Sequence, residues 1–264
     1  MESNTTVEKK LVFPRFEDIP VSTKTFIVTT NLILDIKKLY RFLPITEYII
    51  VPKRRGRKKK NTTIDPNKNI PDGSIITMGL ANDILGVCLK KKEKKDGRTI
   101  DYFRNSITVV MIMGGKKINF KISNNGKFQM TGVKKDQHAE DCIKAIWKYI
   151  KEDETIYSLP DNQSFRAIFI PVMRNIDFSL GFVLNREKLD EYFNSNTEYR
   201  SLFETSIGYT GVNIKIPVTK PITELKIKEL VFKNGYWQQP KMIQYQNYLD
   251  TLKPKEQQKK LDRD

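Results

Sequence analysis

Residues 106–151 leave this chain little choice of fold. SITVVMIM (106–113) and KKINFKIS (116–123) are β-rich runs, and Gly114-Gly115 between them reads as a hairpin turn. An Asn-Asn-Gly turn at 124–126 feeds a third run, KFQMTG (127–132). Strand side chains alternate between faces, so Lys127, Gln129 and Thr131 share one face and Phe128 and Met130 the other. After residue 135 the apolar period changes. Ala139, Cys142, Ile143, Ile146 and Ile150 recur at helical spacing, which predicts a helix over about 136–151. Each apolar face must be covered, and a helix laid back on an antiparallel sheet covers both. This is the α+β class, with helices on one face of a sheet.

The same grammar occurs upstream and downstream. TFIVTTNLIL (25–34) is β-rich, and Thr25, Ile27 and Thr29 alternate with Phe26, Val28 and Thr30. Asp35 is placed to cap IKKLYRFL, whose Ile36, Leu39, Tyr40 and Leu43 share a face before Pro44 ends the helix. EYIIVP (47–52) reads as a short strand. Later, FRAIFIPVM (165–173) and DFSLGFVL (177–184) read as extended. Asn185 is placed to cap REKLDEYF, with Leu189, Tyr192 and Phe193 on one face, and GYTGVNIKIP (208–217) reads as another strand. The recurrence reads as a diverged duplication with Asp35 and Asn185 as corresponding caps. The expected organisation is a tail at 1–20, a first repeat at 21–156 with a basic insertion at 53–105, and a second, partial repeat at 157–217. A polar segment follows at 218–264, with little core pattern except ELVF and YWQQPKMIQYQNYL. An incomplete second repeat leaves a sheet edge open to pairing with another chain.

The 264 residues carry a formal net charge of +16, which points to a polyanionic partner. The excess is clustered. KRRGRKKK at 53–60 holds seven cations in eight residues, and KKKEKKDGR follows at 90–98. Both read as exposed loops. Dense like charges repel one another and gain by meeting phosphate, although a solvated loop or a localisation signal gives the same pattern. No run approaches the roughly 20 apolar residues that span a bilayer, and MESNTTVEKK has no signal-peptide core. Cys88 and Cys142 are expected as buried thiols in an intracellular, reducing compartment. The lone histidine, His138, is expected at the surface, and with Cys142 it is too little for a zinc set. Phosphate-binding glycine loops and a nucleophile elbow are absent. No catalytic residue, metal or cofactor is therefore expected.

A sheet with one covered face leaves the other for binding. Lys, Gln and Thr among aliphatic residues suit a DNA minor groove, because donors meet phosphates and base edges while apolar atoms meet sugars. GKFQMTGVKKDQHAEDCIKAIWKYI resembles the strand, turn and helix that close each repeat of the TATA-box-binding protein family. IVTTNLILDIKKLYRFL resembles the first strand and helix of that family, FVLNREKLDEYF the start of its second-repeat helix, and TGVNIKIP a second-repeat strand. With its long basic insertions the chain is most similar to the divergent TATA-box-binding-protein-like factors of large nucleocytoplasmic DNA viruses. The resemblance covers about 21–151 and 165–217.

The resemblance implies a saddle-like curved antiparallel sheet, helices on its convex face, and two diverged repeats, the second incomplete. It implies a non-enzymatic transcription initiation factor on double-stranded DNA, with initiation factors and RNA polymerase as partners, in a viral factory or virion if viral and otherwise in the nucleus. The alternative is an interaction scaffold of the transcription machinery that has lost sequence-specific DNA binding. The DNA-contacting residues expected are Thr25, Ile27, Thr29, Lys127, Gln129, Thr131, Arg166, Ile168 and Tyr209. To these the basic run adds Lys53, Arg54, Arg55, Arg57, Lys58, Lys59 and Lys60. Gly126 would permit the tight turn and Gly132 would release the chain toward the helix. Where the family inserts phenylalanine wedges, this chain has Ser123 and Tyr209, so strong bending is not expected.

Overall fold

A computed structural model of the chain describes residue 15 and residues 18–50, 66–89, 102–160, 163–204, 206, 208, 210–217 and 224–252. In chain order the elements are β1 (Val21–Thr30), β2 (Ile33–Leu34), α1 (Ile36–Phe42), β3 (Ile75–Leu80), β4 (Asp83–Gly86), β5 (Ser106–Met113), β6 (Lys116–Ser123) and β7 (Lys127–Val133). There follow α2 (Asp136–Ile150), β8 (Tyr157–Ser158), β9 (Phe165–Ile176), α3 (Arg186–Asn196), β10 (Arg200–Leu202), β11 (Asn213–Lys215), β12 (Lys226–Lys233), β13 (Tyr236–Trp237), β14 (Lys241–Gln244) and α4 (Tyr245–Asp250). They form two compact units. The larger is Val21–Asn175 with Lys226–Gln244, and the smaller is Ile176–Leu225 with Met1–Pro20 and Tyr245–Asp264.

The larger unit is a curved, open antiparallel sheet in the order β13-β12-β9-β1-β7-β6-β5-β3-β4, with β14 pairing β12. The expected β5–β6–β7 meander forms, with Val109 opposite Phe120 and Phe120 opposite Met130. Hydrogen bonds from Asn31 N to the Arg166 carbonyl and from Ser22 Oγ to the Asn175 carbonyl run β1 and β9 antiparallel as neighbours inside the sheet.

One face of the sheet is the core. Val28, Phe120, Phe128, Met130, Phe165, Ala167 and Leu230 meet Leu39 and Tyr40 of α1 and Ala139, Cys142, Ile143, Ile146 and Ile150 of α2. All five predicted α2 residues are buried, so the helical period named the right face. Asp35 caps α1 as expected, its carboxylate accepting from the backbone N–H of Lys37 and Lys38, both at 3.0 Å.

Several sequence expectations require correction. EYIIVP is not a strand in its described part: Ile49 bonds through both its N–H and its carbonyl to the Asn67 side chain, at 2.9 and 2.8 Å, which takes the place of a ladder. Within the stretch 53–105, residues 75–86 supply β3 and β4 of the sheet rather than an insertion outside it. ELVF belongs to β12, in register with β9 from Lys228 opposite Phe169 to Phe232 opposite Phe165. β9 absorbs residues to Ile176, and DFSLGFVL has no strand of its own. His138 is not a plain surface residue. Its ring packs against the Gly114 turn, where an added Cβ would fall 2.5 Å from Nε2, and its buried Nδ1 has no partner. Cys88 is only half-buried, whereas Cys142 is fully buried, and no disulfide joins them.

In the smaller unit, Asn185 caps α3 by accepting from the Lys188 N–H at 3.0 Å. No residue of α3 is buried, so the expected apolar face of Leu189, Tyr192 and Phe193 does not become core. Polar and aromatic contacts join α3 to its neighbours: Ser201 Oγ donates to Asp190 at 2.5 Å, Arg186 donates to the Thr210 carbonyl, and the Phe193 ring stacks on Tyr199 at 6.2 Å. β10 and β11 form a separate two-stranded ladder in which the expected strand 208–217 is reduced to Asn213–Lys215.

Candidate nucleic-acid interface

Opposite the helices, the second sheet face is assembled from alternate residues of the central strands. Ladder partners point to the same face. On that face Thr108 of β5 lies beside Lys121 of β6, Lys121 beside Gln129 of β7, and Gln129 beside Ile27 of β1. A second row runs Val110, Asn119, Thr131. Lys117 is opposite Ile112, and Thr29 is opposite Lys127. None of these residues is acidic. Gln129, Thr131, Asn119 and Lys117 are exposed, and Ile27, Thr29, Lys121 and Lys127 are half-buried.

A bulge sets the phase where β7 leaves the sheet. Lys24 pairs with Val133 and Phe26 with Met130, so Thr131 and Gly132 together oppose Thr25. Gly132 takes φ +77°, the left-handed conformation that suits glycine at such a bulge. The extra residue returns Val133 to the core face. Lys24, two residues before Phe26, already shares that face by strand alternation, and its Nζ meets Asp136 at the start of α2 at 2.5 Å.

Aromatic residues flank the lysines. Lys121 Nζ lies 4.0 Å from the Phe103 ring centroid, and Lys117 Nζ lies 4.2 Å from that of Tyr48. Tyr48 and Ile70 also cover a small second core of Ile76, Val110 and Ile112, so the β3–β5 end of this face is closed. The Tyr102 ring sits on Gly79, where an added Cβ would come within 2.6 Å of it. Sequence reasoning missed this covering. It was invisible because the covering residues reach the sheet from loops, where no periodicity applies.

The expected contact residues divide. Ile27, Thr29, Lys127, Gln129 and Thr131 come together on the open face. Thr25 and Ile168 do not serve as exposed contacts, being 8% and 4% exposed. Arg166 reaches that face but is ion-paired with Glu229 of β12. Glu229 is in register with Ile168 and Arg166 with Val231, so the pair spans a diagonal of the ladder. Tyr209, Lys53, Arg54, Arg55, Arg57, Lys58, Lys59 and Lys60 lie outside the described residues. Lys117, Asn119 and Lys121 were overlooked, although the alternation of KKINFKIS against Ile118, Phe120 and Ile122 carried the signal.

Among the described residues no group of three or more His, Cys, Asp or Glu is placed to hold a metal ion. No helix among them is long and apolar enough to cross a membrane.

The chain is similar to Uncharacterized protein 335L of Invertebrate iridescent virus 6, 26% identical over 179 residues that make up 64% of this chain. It spans about half of that protein's length, 53%. No protein-family model matches the chain. No solved structure matches it.

Proposed function

We propose that the chain is a non-enzymatic DNA-binding protein of the transcription machinery that holds duplex DNA against the open face of its sheet. The observation that carries the reading is the cluster Lys117, Asn119, Lys121, Gln129 and Thr131 on two adjacent strands. It offers cationic and amide donors with no carboxylate in register. Lysines reach phosphates, amides and hydroxyls reach groove edges, and Ile27 supplies apolar contact to sugars. A chain of +16 adds long-range attraction to a polyanion.

The finer reading is a saddle of two diverged repeats resembling the TATA-box-binding protein family. Its support is topological. β1 and β9 are neighbours in the sheet, and each leads to a helix capped by the side chain before it, Asp35 or Asn185. Similarity to a viral protein agrees with the viral side of that resemblance. Partners on this reading are initiation factors and RNA polymerase. The interaction-scaffold alternative is favoured by one stretch: Phe178, Phe182, Val183 and Leu184 are all exposed, Val183 at 98%.

The test is a binding series across salt with A·T-rich and random duplexes. Replacing Lys117 and Lys121 by Ala weakens binding to both. Replacing the seven cations of 53–60 by Ser flattens the salt dependence. The slope of log K against log salt shrinks by about 0.9 for each phosphate no longer neutralised. Absence of duplex binding at low salt overturns the proposal in favour of the scaffold.

A further inference from the structure

The helix-covered side of the larger unit carries a different surface. The last turns of α2 run beside the β12–β13 hairpin, and a groove of about 280 Å³ lies between them. Its aromatic wall is Trp147, Phe232 and Trp237, with ring centroids 5.6 Å apart for Trp147–Phe232 and 5.1 Å for Phe232–Trp237. Trp147 is itself stacked on Phe165 at 4.5 Å, which fixes its ring. Its Nε1 is buried without a hydrogen-bond partner. The hairpin turn is Asn234-Gly235, both at positive φ, the pairing that gives a tight two-residue turn and holds Trp237 in place.

Along the other side of the groove run Lys144, Lys148 and Lys151. Their spacing of four and three residues puts them on one helical face over about 10 Å. Among the described residues no carboxylate lines the groove. Asp141 lies 3.9 Å from Lys144 and Glu152 2.8 Å from Lys151, while no described carboxylate lies within 4.0 Å of Lys148.

We propose that this groove docks an acidic peptide segment of a protein partner. An aromatic or long aliphatic side chain enters against Trp147, Phe232 and Trp237, and flanking carboxylates meet the three lysines. Aromatic anchors buried in a pocket carry most of the energy of such contacts, and the surrounding charges select the partner and its register. Duplex DNA would satisfy the lysines but has no side chain for the aromatic wall. The site is on the face opposite the candidate DNA interface and stands or falls separately from it.

The protein has two tryptophans, and both line the groove, so intrinsic fluorescence reports its occupancy. The probe is the synthetic peptide Glu-Asp-Asp-Phe-Asp-Glu-Leu-Asp titrated into the full chain. Saturable change in emission is expected, weakened about tenfold or more by Lys148→Glu, restored by Lys148→Arg, and weakened similarly when the peptide Phe is replaced by Ser. Lys148 is exposed, so the variants keep the fold, which circular dichroism verifies. Duplex affinity should be unchanged in Lys148→Glu. The proposal fails if emission does not saturate, if Lys148→Glu leaves peptide affinity intact, or if random duplex displaces the peptide stoichiometrically.

Discussion

Glu140 of α2 and Lys228 of β12 meet at 2.5 Å, joining residues 88 positions apart in the sequence. Glu140 is 2% exposed, so Lys228 stands where water would otherwise meet its carboxylate. Lys228→Ala should cost about 3–5 kcal/mol, because it strands a buried carboxylate. That is a large share of the roughly 5–15 kcal/mol of a typical domain. Replacing both residues by Met should recover most of the loss. Chemical denaturation of the three proteins measures it, and a Lys228→Ala variant as stable as the parent would refute the pairing.

Gly126 takes φ +68°, and a Cβ there would lie 2.4 Å from both the Leu32 carbonyl oxygen and Thr30 Oγ1. The Gly126 carbonyl in turn accepts from Thr30 Oγ1 at 2.8 Å. Gly126→Ala therefore combines left-handed backbone strain with a backbone clash. We expect a loss of at least about 1–2 kcal/mol, measured by thermal melting. At Gly115 the same change meets open space and should cost only the backbone strain.

Gln129→Glu and Thr131→Glu should each weaken duplex binding while leaving the melting temperature near that of the parent, since both side chains are exposed. Thr25→Glu is the contrast. Thr25 is buried, so a carboxylate there should unfold or strongly destabilise the protein. Paired melting and binding curves separate the cases. Unfolding by Gln129→Glu would mean that the open face is covered.

Burial pushes the Cys142 thiol well above its ordinary range, and the Asp141 and Asp72 carboxylates add to the shift. Only thiolate reacts readily with disulfide reagents. Cys142 should stay silent in the native protein even at mildly alkaline pH, while half-buried Cys88 reacts faster. Denaturant should expose both thiols. The unfolded chain releases the Cys142 proton near pH ~8.5 and the native chain retains it, so this contribution to stability falls as pH rises above that value. A reagent count in native and denatured protein, repeated on Cys142→Ala, decides the assignment.

The meander, both helix caps and the buried face of α2 were legible in the sequence because each is local. Alternation in KFQMTG, spacing from Ala139 to Ile150, and Asp35 or Asn185 before a helical run are properties of neighbouring residues. Tertiary structure decided what local pattern cannot encode. β12 joins β9 across a long intervening stretch of chain, and ELVF alone could not name its partner. Thr25 and Ile168 have the alternation of exposed strand residues yet are buried, because exposure depends on what packs over a face. Leu189, Tyr192 and Phe193 have the period of a core helix, but α3 buries none of its residues. Periodicity fixes which side chains share a face. Whether that face meets protein, water or a partner is set by chain segments distant in sequence, and only their packing shows it.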